Sequence, residues 1–165
     1  MAAGMAASGA MGQGIARIPV LGLPDVAQAD AKQGVVYYDP DQMRAIGADM
    51  AAFVMAHEEA HVRLAHRPSA SDADSLITRG LEQQADCSAA ARLAGSAWNL
   101  ERVLHFFDRI GEARPDADHP TGSERAATIR ACALAHRENG RIIAGTSGSG
   151  RRVAPSSVAE RLTRG

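Results

Sequence analysis

Two histidines lie four residues apart in a long helix-forming stretch of the chain. Residues 57–61 read HEEAH, and residues 50–56 before them are apolar around the whole helix. Side chains at i and i+4 share one face of an α-helix, so His57 and His61 can direct two imidazoles at one metal ion. Because burying such polar side chains without a partner costs free energy, the pattern favours a fold built around a bound metal.

Glu58 would lie beside that metal. A bound Zn2+ lowers the pKa of its water to about 7, and a neighbouring carboxylate can take the proton and later deliver it to a leaving amine. The HExxH pattern therefore predicts one Zn2+ per chain, with His57 and His61 as ligands and Glu58 as general base and acid. The alternative is a chance match on an ordinary helix.

A catalytic zinc site usually has a third protein ligand and water in the fourth position. Leu64 and Arg67 rule out the HExxHxxGxxH pattern. We favour Glu82, which lies far enough beyond His61 for a loop and a second helix to bring it back. Asp86, one helical turn later, could accept the second ring N–H of a ligating histidine. The alternative for both carboxylates is a solvated stripe on a surface helix.

The other histidines fit the ligand pattern less well. We expect His66 to be a charge at the helix C-terminus or a surface residue. His105 and His136 have no acidic partner at ligand spacing and are interpreted as structural.

Three motifs occur in order along the chain: residues 56–61 followed by His66, residues 82–86 reading EQQAD, and residues 119–125 reading HPTGSER. Together they resemble the motifs of gluzincin zinc metallopeptidases of the type represented by the CAAX prenyl endopeptidase and the heat-shock membrane protease HtpX. The resemblance spans residues 34–136 and implies a soluble, minimal member that cleaves a polypeptide substrate.

The resemblance also implies roles for two residues of the third motif. His119 would hydrogen-bond the oxyanion of the tetrahedral intermediate, and Arg125 would help to hold the site together or share that role. A donor at such a position lowers the barrier by about 3–4 kcal/mol. From the residues alone, His119 would be a turn residue and Arg125 a surface charge. In the family a strand corresponding to residues 34–39 borders the cleft, and an extended substrate could add to it.

The composition favours an α+β fold, mainly α: a zincin-like helical core with a small sheet or edge strand beside the active-site helix. Apolar residues make up 45% of the chain, enough for one core, whereas aromatic residues are only 4%. A net charge of −1 gives no sign of nucleic-acid binding. The chain contains no apolar run of about 18 residues that could span a bilayer.

Local patterns predict the order of the elements. Residues 34–39 form the strongest strand pattern, and residues 15–23 form a weaker one limited by prolines. We predict Asp39 as an N-cap with a capping-box Gln42, and Asp49 as the cap of a second helix that continues to His66. Further helices are predicted at residues 75–93, 99–110 and 123–138, with loops at 67–74 and 116–122.

We expect a flexible N-terminus at residues 1–14, a metallopeptidase domain at residues 15–143 and a disordered Gly/Ser/Arg tail at residues 144–165. The N-terminal segment has no basic residue typical of a signal peptide. Cys87 and Cys132 are either two buried free thiols or a disulfide, and we slightly favour the disulfide. A disulfide indicates a periplasmic or secreted protein, whereas free thiols indicate a cytoplasmic one.

The function predicted from the sequence is that of a zinc-dependent metalloendopeptidase. One alternative is a non-catalytic module of the same fold with a binding or chaperone-like role. Another is a zinc hydrolase of a non-peptide amide or ester, because the chemistry is the same and only the shape of the cleft differs. The oligomeric state is left open.

Overall fold

A three-stranded sheet and a group of packed helices make up the part of the chain that the computed structural model describes, residues 14–67, 75–113 and 119–146. The α+β, mainly α class is confirmed. The elements are β1 (Ala16–Pro19), β2 (Ala27–Asp30), β3 (Val35–Tyr38), α1 (Pro40–Ala45), α2 (Ala48–Arg63), α3 (Ser75–Leu93), α4 (Leu100–Ile110) and α5 (Gly122–Thr146). Residues 1–13 and 147–165, which include most of the predicted flexible ends, lie outside the described residues, as do 68–74 and 116–118 of the predicted loops.

The sheet has the strand order β1-β3-β2, with β1 parallel and β2 antiparallel to β3. The strong strand pattern at residues 34–39 thus forms the central strand, and both of its edges are paired. The expectation that an extended substrate adds to this strand is wrong for that reason. β2, which the sequence did not predict because it lacks β-branched and aromatic residues, packs against helix α2, which carries residues 57–61.

The start of α1 follows the sequence prediction in part. Asp39 caps the helix, since its Oδ1 accepts hydrogen bonds from the backbone N–H groups of Asp41 (2.8 Å) and Gln42 (3.2 Å). The capping-box role of Gln42 is wrong. Its side-chain amide donates to the Leu23 carbonyl at 2.7 Å, while the Asp39 N–H donates to Val26 at 3.0 Å.

The start of α2 differs from the prediction. Gly47, with a φ of 82°, is the N-cap residue, and Asp49 lies inside the first turn. Asp49 instead accepts hydrogen bonds from the Asn99 N–H (2.9 Å) and from Arg102 (3.1 Å). A tertiary contact to the start of α4 has therefore replaced the predicted local cap.

The end of α2 also differs, because the helix stops at Arg63 and not at His66. Ala65 adopts a φ of 54°, its N–H donates to Val62, and the N–H of His66 donates to the His61 carbonyl at 2.9 Å. These two bonds form a Schellman motif, which reverses the chain direction at a helix end. His66 is consequently folded back and only 8% exposed, so the prediction of a surface position is wrong.

The helical core lies between α2, α3, α4 and α5. Phe53 is 1% exposed, with the Trp98 ring stacked on it at a centroid distance of 6.1 Å and the Phe107 ring edge-on at 5.7 Å. Small residues let the helices approach closely. At Gly122 an added Cβ would collide with the Phe107 carbonyl, so glycine is required where α5 begins against α4.

The remaining helices lie close to their predicted bounds, with one exception. α3 has the bounds predicted, and Asn99 caps α4 by accepting a bond from the Arg102 N–H at 3.3 Å. α5 continues through residues 139 and 140 to Thr146, past the end predicted at Glu138. A glycine inside a helix costs only about 1 kcal/mol, which does not suffice to stop it. Among the helices of the described residues, none combines the length and apolar character that crossing a bilayer requires.

Cys87 on α3 and Cys132 on α5 have their sulfur atoms 2.11 Å apart, the distance of a disulfide bond, with a sequence separation of 45. Closing a loop of this length stabilises a protein by about 4 kcal/mol in the chain-entropy model. Reduction should therefore lower Tm by roughly 8–16 °C. Thermal unfolding with and without reductant measures this shift. A variant with both cysteines changed to alanine should not respond to reductant, and an unchanged wild-type Tm would contradict the bond.

Candidate metal centre

Three potential ligand residues converge from two helices. His57 and His61 project from α2 and Glu82 from α3. The His57 Nε2 lies 3.0 Å from the His61 Nε2 and 3.1 Å from Glu82 Oε2, and the His61 Nε2 lies 3.2 Å from Glu82 Oε1. His57 and Glu82 are buried and His61 is partly buried. The structure thus brings together the three predicted ligands in a group that can bind a metal ion.

Asp86 binds the ring nitrogen of His57 that faces away from the other ligands. Its Oδ1 lies 2.9 Å from the His57 Nδ1, so this ring nitrogen donates to the carboxylate and leaves Nε2 to face the other ligands. Burial alone would lower the pKa of His57, but its hydrogen bonds with Asp86 and Glu82 outweigh burial and raise the pKa to about 9. A metal ion must therefore displace a proton from this ring.

Arg125 completes this line of contacts. Its Nε and Nη2 donate to the two carboxylate oxygens of Asp86 at 2.9 and 2.6 Å, and its guanidinium lies 4.5 Å from the centre of the Phe107 ring. Burial opposes the ionisation of Asp86, but the charge of Arg125 holds the pKa of Asp86 below its usual range. Of the two roles expected for Arg125, these contacts correspond to holding the site together.

His66 is in contact with the second ligand. The Nδ1 atoms of His61 and His66 are 3.1 Å apart, so one of the two rings donates to the other. Burial and the nearby His61 lower the pKa of His66, which favours its neutral form. With its Nδ1 occupied, His61 presents Nε2 to Glu82. Sequence reasoning missed this contact because a left-handed cap at an alanine such as Ala65 has no clear sequence signal.

Glu58 lies in the same cleft as the ligand group. Its Oε2 accepts a hydrogen bond from the Ala29 N–H at 2.8 Å, which ties the carboxylate to β2. Burial raises the pKa of Glu58. A carboxylate with a raised pKa is a stronger base, so it accepts a proton more readily near neutral pH.

His119 lies at the rim of the cleft. Its Nε2 is 3.9 Å from Glu82 Oε2, and its side chain is 38% exposed. The residues after it are fixed by a reciprocal capping box. The Thr121 Oγ1 accepts from the Glu124 N–H at 3.1 Å, and Glu124 Oε2 accepts from the Thr121 N–H at 2.8 Å. The third sequence motif therefore reaches the metal group from the start of α5.

The cleft has a volume of about 630 Å³ and lies between β2 and the helices. Its floor carries the ligand group and Glu58, and much of the remaining wall is apolar, including Met50, Phe53, Leu81, Phe106 and Ile110. Ligand-binding clefts are commonly of this size and character. His105 and His136 are exposed on their helices and do not belong to the ligand group.

Glu59 has a different environment from Glu58. It is 3% exposed and forms ion pairs with Arg17 of β1 (2.5 Å), Arg63 of α2 (2.7 Å) and Arg92 of α3. Burial would raise the pKa of Glu59, but the three arginines outweigh it and hold the pKa below its usual range. The carboxylate therefore joins the sheet to both helices that carry the metal group.

This cluster predicts a pH-dependent stability. Because the pKa of Glu59 is lower in the folded protein than in the unfolded chain, its stabilisation is present above the unfolded pKa of about 4.3 and is lost as pH falls through the folded pKa. Glu59→Gln should lower the free energy of unfolding by about 2 kcal/mol at pH 7 and flatten its decline at acidic pH. Urea unfolding from pH 7 to 3 measures both effects. Glu101→Gln, at an exposed site on α4, is the control, and equal losses in the two variants would contradict the cluster's role.

No protein-family model, curated protein or solved structure matches this chain. The function is therefore inferred from the chemistry of the cleft and from the motifs that supply its residues.

Proposed function

We propose that this protein is a zinc-dependent metalloendopeptidase. The observation that carries the proposal is the convergence of the His57 and His61 Nε2 atoms with the Glu82 carboxylate beside Glu58, in a cleft bordered by a β-strand. The residues of the site belong to the three motifs that resemble those of gluzincin metallopeptidases.

The donor set fits Zn2+. Two imidazoles and one glutamate form a known ligand set of catalytic zinc sites, which retain a further position for water. Ligand atoms about 2.0–2.1 Å from a tetrahedral zinc are about 3.3 Å from one another. Here the two Nε2 atoms are 3.0 Å apart, and each lies 3.1–3.2 Å from one of the two Glu82 carboxylate oxygens, which is close to that value. Bound there, Zn2+ would supply a water molecule acidic enough to ionise near pH 7.

The residues of the chain then have defined tasks. Glu58 accepts a proton from the attacking water and delivers it to the leaving amine, a proton transfer worth about 10²- to 10⁴-fold in rate. The Ala29 N–H holds the Glu58 carboxylate in position. His119 at the rim is a donor for the oxyanion that develops during attack. Asp86 and Arg125 orient His57.

The strand β2 supports a peptide substrate over a small amide or ester. In the antiparallel β2–β3 pair the Asp39 N–H donates to Val26, and every second position is therefore hydrogen-bonded. Ala27 and Ala29 fall at the alternate positions, so their backbone groups point to the edge of β2 that pairs with no other described strand, and the Ala29 N–H on this edge donates to Glu58. Apart from the Ala29 N–H, this edge offers backbone hydrogen bonds to an extended peptide beside the metal group.

Two features of the cleft favour a peptidase over the two alternative functions. A binding or chaperone-like module has no use for a glutamate placed as a proton acceptor beside a ligand group. A hydrolase of small amides or esters has no need for a free strand edge along its cleft. The disulfide supports an oxidising compartment, so we propose a periplasmic or secreted location.

Profiling the purified, zinc-loaded protein against a peptide library tests the function. We expect cleavage within the peptides, loss of cleavage after a chelator, and recovery when Zn2+ is added back. The amide and ester alternative predicts hydrolysis of small substrates and intact peptides. Cleavage that persists in the chelated protein would contradict a metal mechanism.

A further inference from the structure

A second cavity of about 290 Å³ lies beside the metal-binding cleft. Both cavities are lined by Gln28, Ala29, His66 and Arg67, so they form one continuous surface along β2. The second cavity extends past these residues to Lys32 and Tyr37, which do not line the first.

The strand register shows that the two cavities lie on opposite faces of the sheet. Ala27 and Val36 are buried against the helices, so Gln28 and its cross-strand partner Tyr37 project from the opposite, outer face. The larger cleft thus lies on the helical side of β2, and the second cavity begins on the outer side of the same strand.

The described residues that line the second cavity carry an excess of positive charge. Within the described residues, neither Lys32 nor Arg67 forms an ion pair. The carboxylate lining this cavity belongs to Asp30, and its oxygens accept hydrogen bonds from the backbone N–H groups of Lys32 (2.9 Å) and Gln33 (2.8 Å) and from the Gln33 amide (2.6 Å). The charges of Lys32 and Asp30 are close enough to interact. Among the described residues that line the cavity, Arg67 and the buried His66 have no such acidic neighbour.

We propose that this cavity is a subsite for a carboxylate of the substrate, provided by an acidic side chain of a peptide that extends β2. This inference rests on the proposed peptidase function. Lys32 and Arg67 supply the charge, and Gln28 and Tyr37 supply hydrogen-bond donors at the wall.

The strand geometry makes the proposal more specific. Side chains of an added strand alternate between the two faces of the sheet. One set enters the apolar cleft near Phe53 and Leu81, and the next residue along the peptide projects toward Lys32 and Arg67. The acidic residue should therefore lie one or three positions along the peptide from the apolar residue in the cleft, because residues at odd distances project to opposite faces.

Binding of fluorescein-labelled decapeptides to the zinc-loaded Glu58→Gln variant tests this subsite without hydrolysis. The peptides carry one apolar residue and a Glu or Gln placed at each distance from it, with free and amidated C-termini. At low salt we expect the Glu peptide to bind about five- to tenfold more tightly than its Gln partner at odd distances. The ratio should fall to about one when Lys32→Ala and Arg67→Ala are added, and persist when Arg130→Ala, at an exposed site on α5, is added instead.

Each outcome decides one point. Equal binding of Glu and Gln peptides, absence of binding by any peptide, or a preference that survives the Lys32 and Arg67 substitutions would overturn the subsite. A preference for the free C-terminus over the amide, in place of the side-chain effect, would assign the carboxylate to the peptide terminus. The wild-type protein separates the two proposals. Cleavage without a Glu preference overturns the subsite alone, whereas a Glu preference without cleavage overturns the peptidase function alone.

Discussion

Glu58→Gln should leave Zn2+ bound and reduce peptide hydrolysis by about three orders of magnitude. Glutamine has nearly the shape of glutamate, and its Oε1 can keep the hydrogen bond from the Ala29 N–H. It cannot accept a proton from water. The three ligand atoms belong to His57, His61 and Glu82 and are unchanged, so the loss should appear in kcat with the metal stoichiometry intact. Initial rates and metal analysis on the same samples measure both quantities.

Glu59→Gln is the matched control for this experiment. The two glutamates are adjacent in α2, but Glu59 contacts three arginines whereas Glu58 lies in the cleft. The control should lose stability and keep its turnover number at temperatures where it is folded. Full activity in the Glu58→Gln variant would remove the proposed general base.

Glu82→Ala is the second change with a large expected effect. It removes the only carboxylate of the ligand group, which leaves two imidazoles for the metal. Loss of an outer partner of a ligand already weakens metal binding about 10- to 100-fold, and loss of the ligand itself should exceed that. Zinc affinity by competition with a chromophoric chelator should fall more than 100-fold, and activity should fall with it.

Gln83→Ala is the control for the ligand, since this exposed residue follows Glu82 on α3. It should bind zinc as the wild type does. Unchanged zinc affinity in Glu82→Ala would move the third ligand elsewhere. The two main variants also distinguish the general base from the metal ligand. Glu58→Gln should lose activity while zinc stays bound, whereas Glu82→Ala should lose both activity and zinc.

Short-range geometry explains what the sequence could predict. The spacing of His57 and His61 fixes their common helix face, and the same periodicity relates Glu82 to Asp86. A disulfide between α3 and α5 was one of two open alternatives, and the structure has the sulfur atoms at bonding distance. The composition, with only 4% aromatic residues, is enough to favour a mainly helical fold.

Tertiary contacts explain most of what the sequence missed. β2 has the sequence AQAD, which carries no strand signal, and it forms because β3 pairs with it. Without β2, neither the Ala29 contact to Glu58 nor the free strand edge could be foreseen. Asp49 does not cap α2 but accepts a hydrogen bond from the N–H of Asn99, which is 50 residues away in sequence. His66 reached His61 through a backbone turn at Ala65 that side-chain patterns do not encode.

The central claim is that one zinc ion held by His57, His61 and Glu82 makes this protein a peptidase. The most direct test is to titrate Zn2+ into the metal-free protein while recording the hydrolysis of a peptide found by library profiling. We expect activity to rise in proportion to bound zinc and to stop rising at one ion per chain. Full activity of the metal-free protein, or none at one zinc per chain, would contradict the claim.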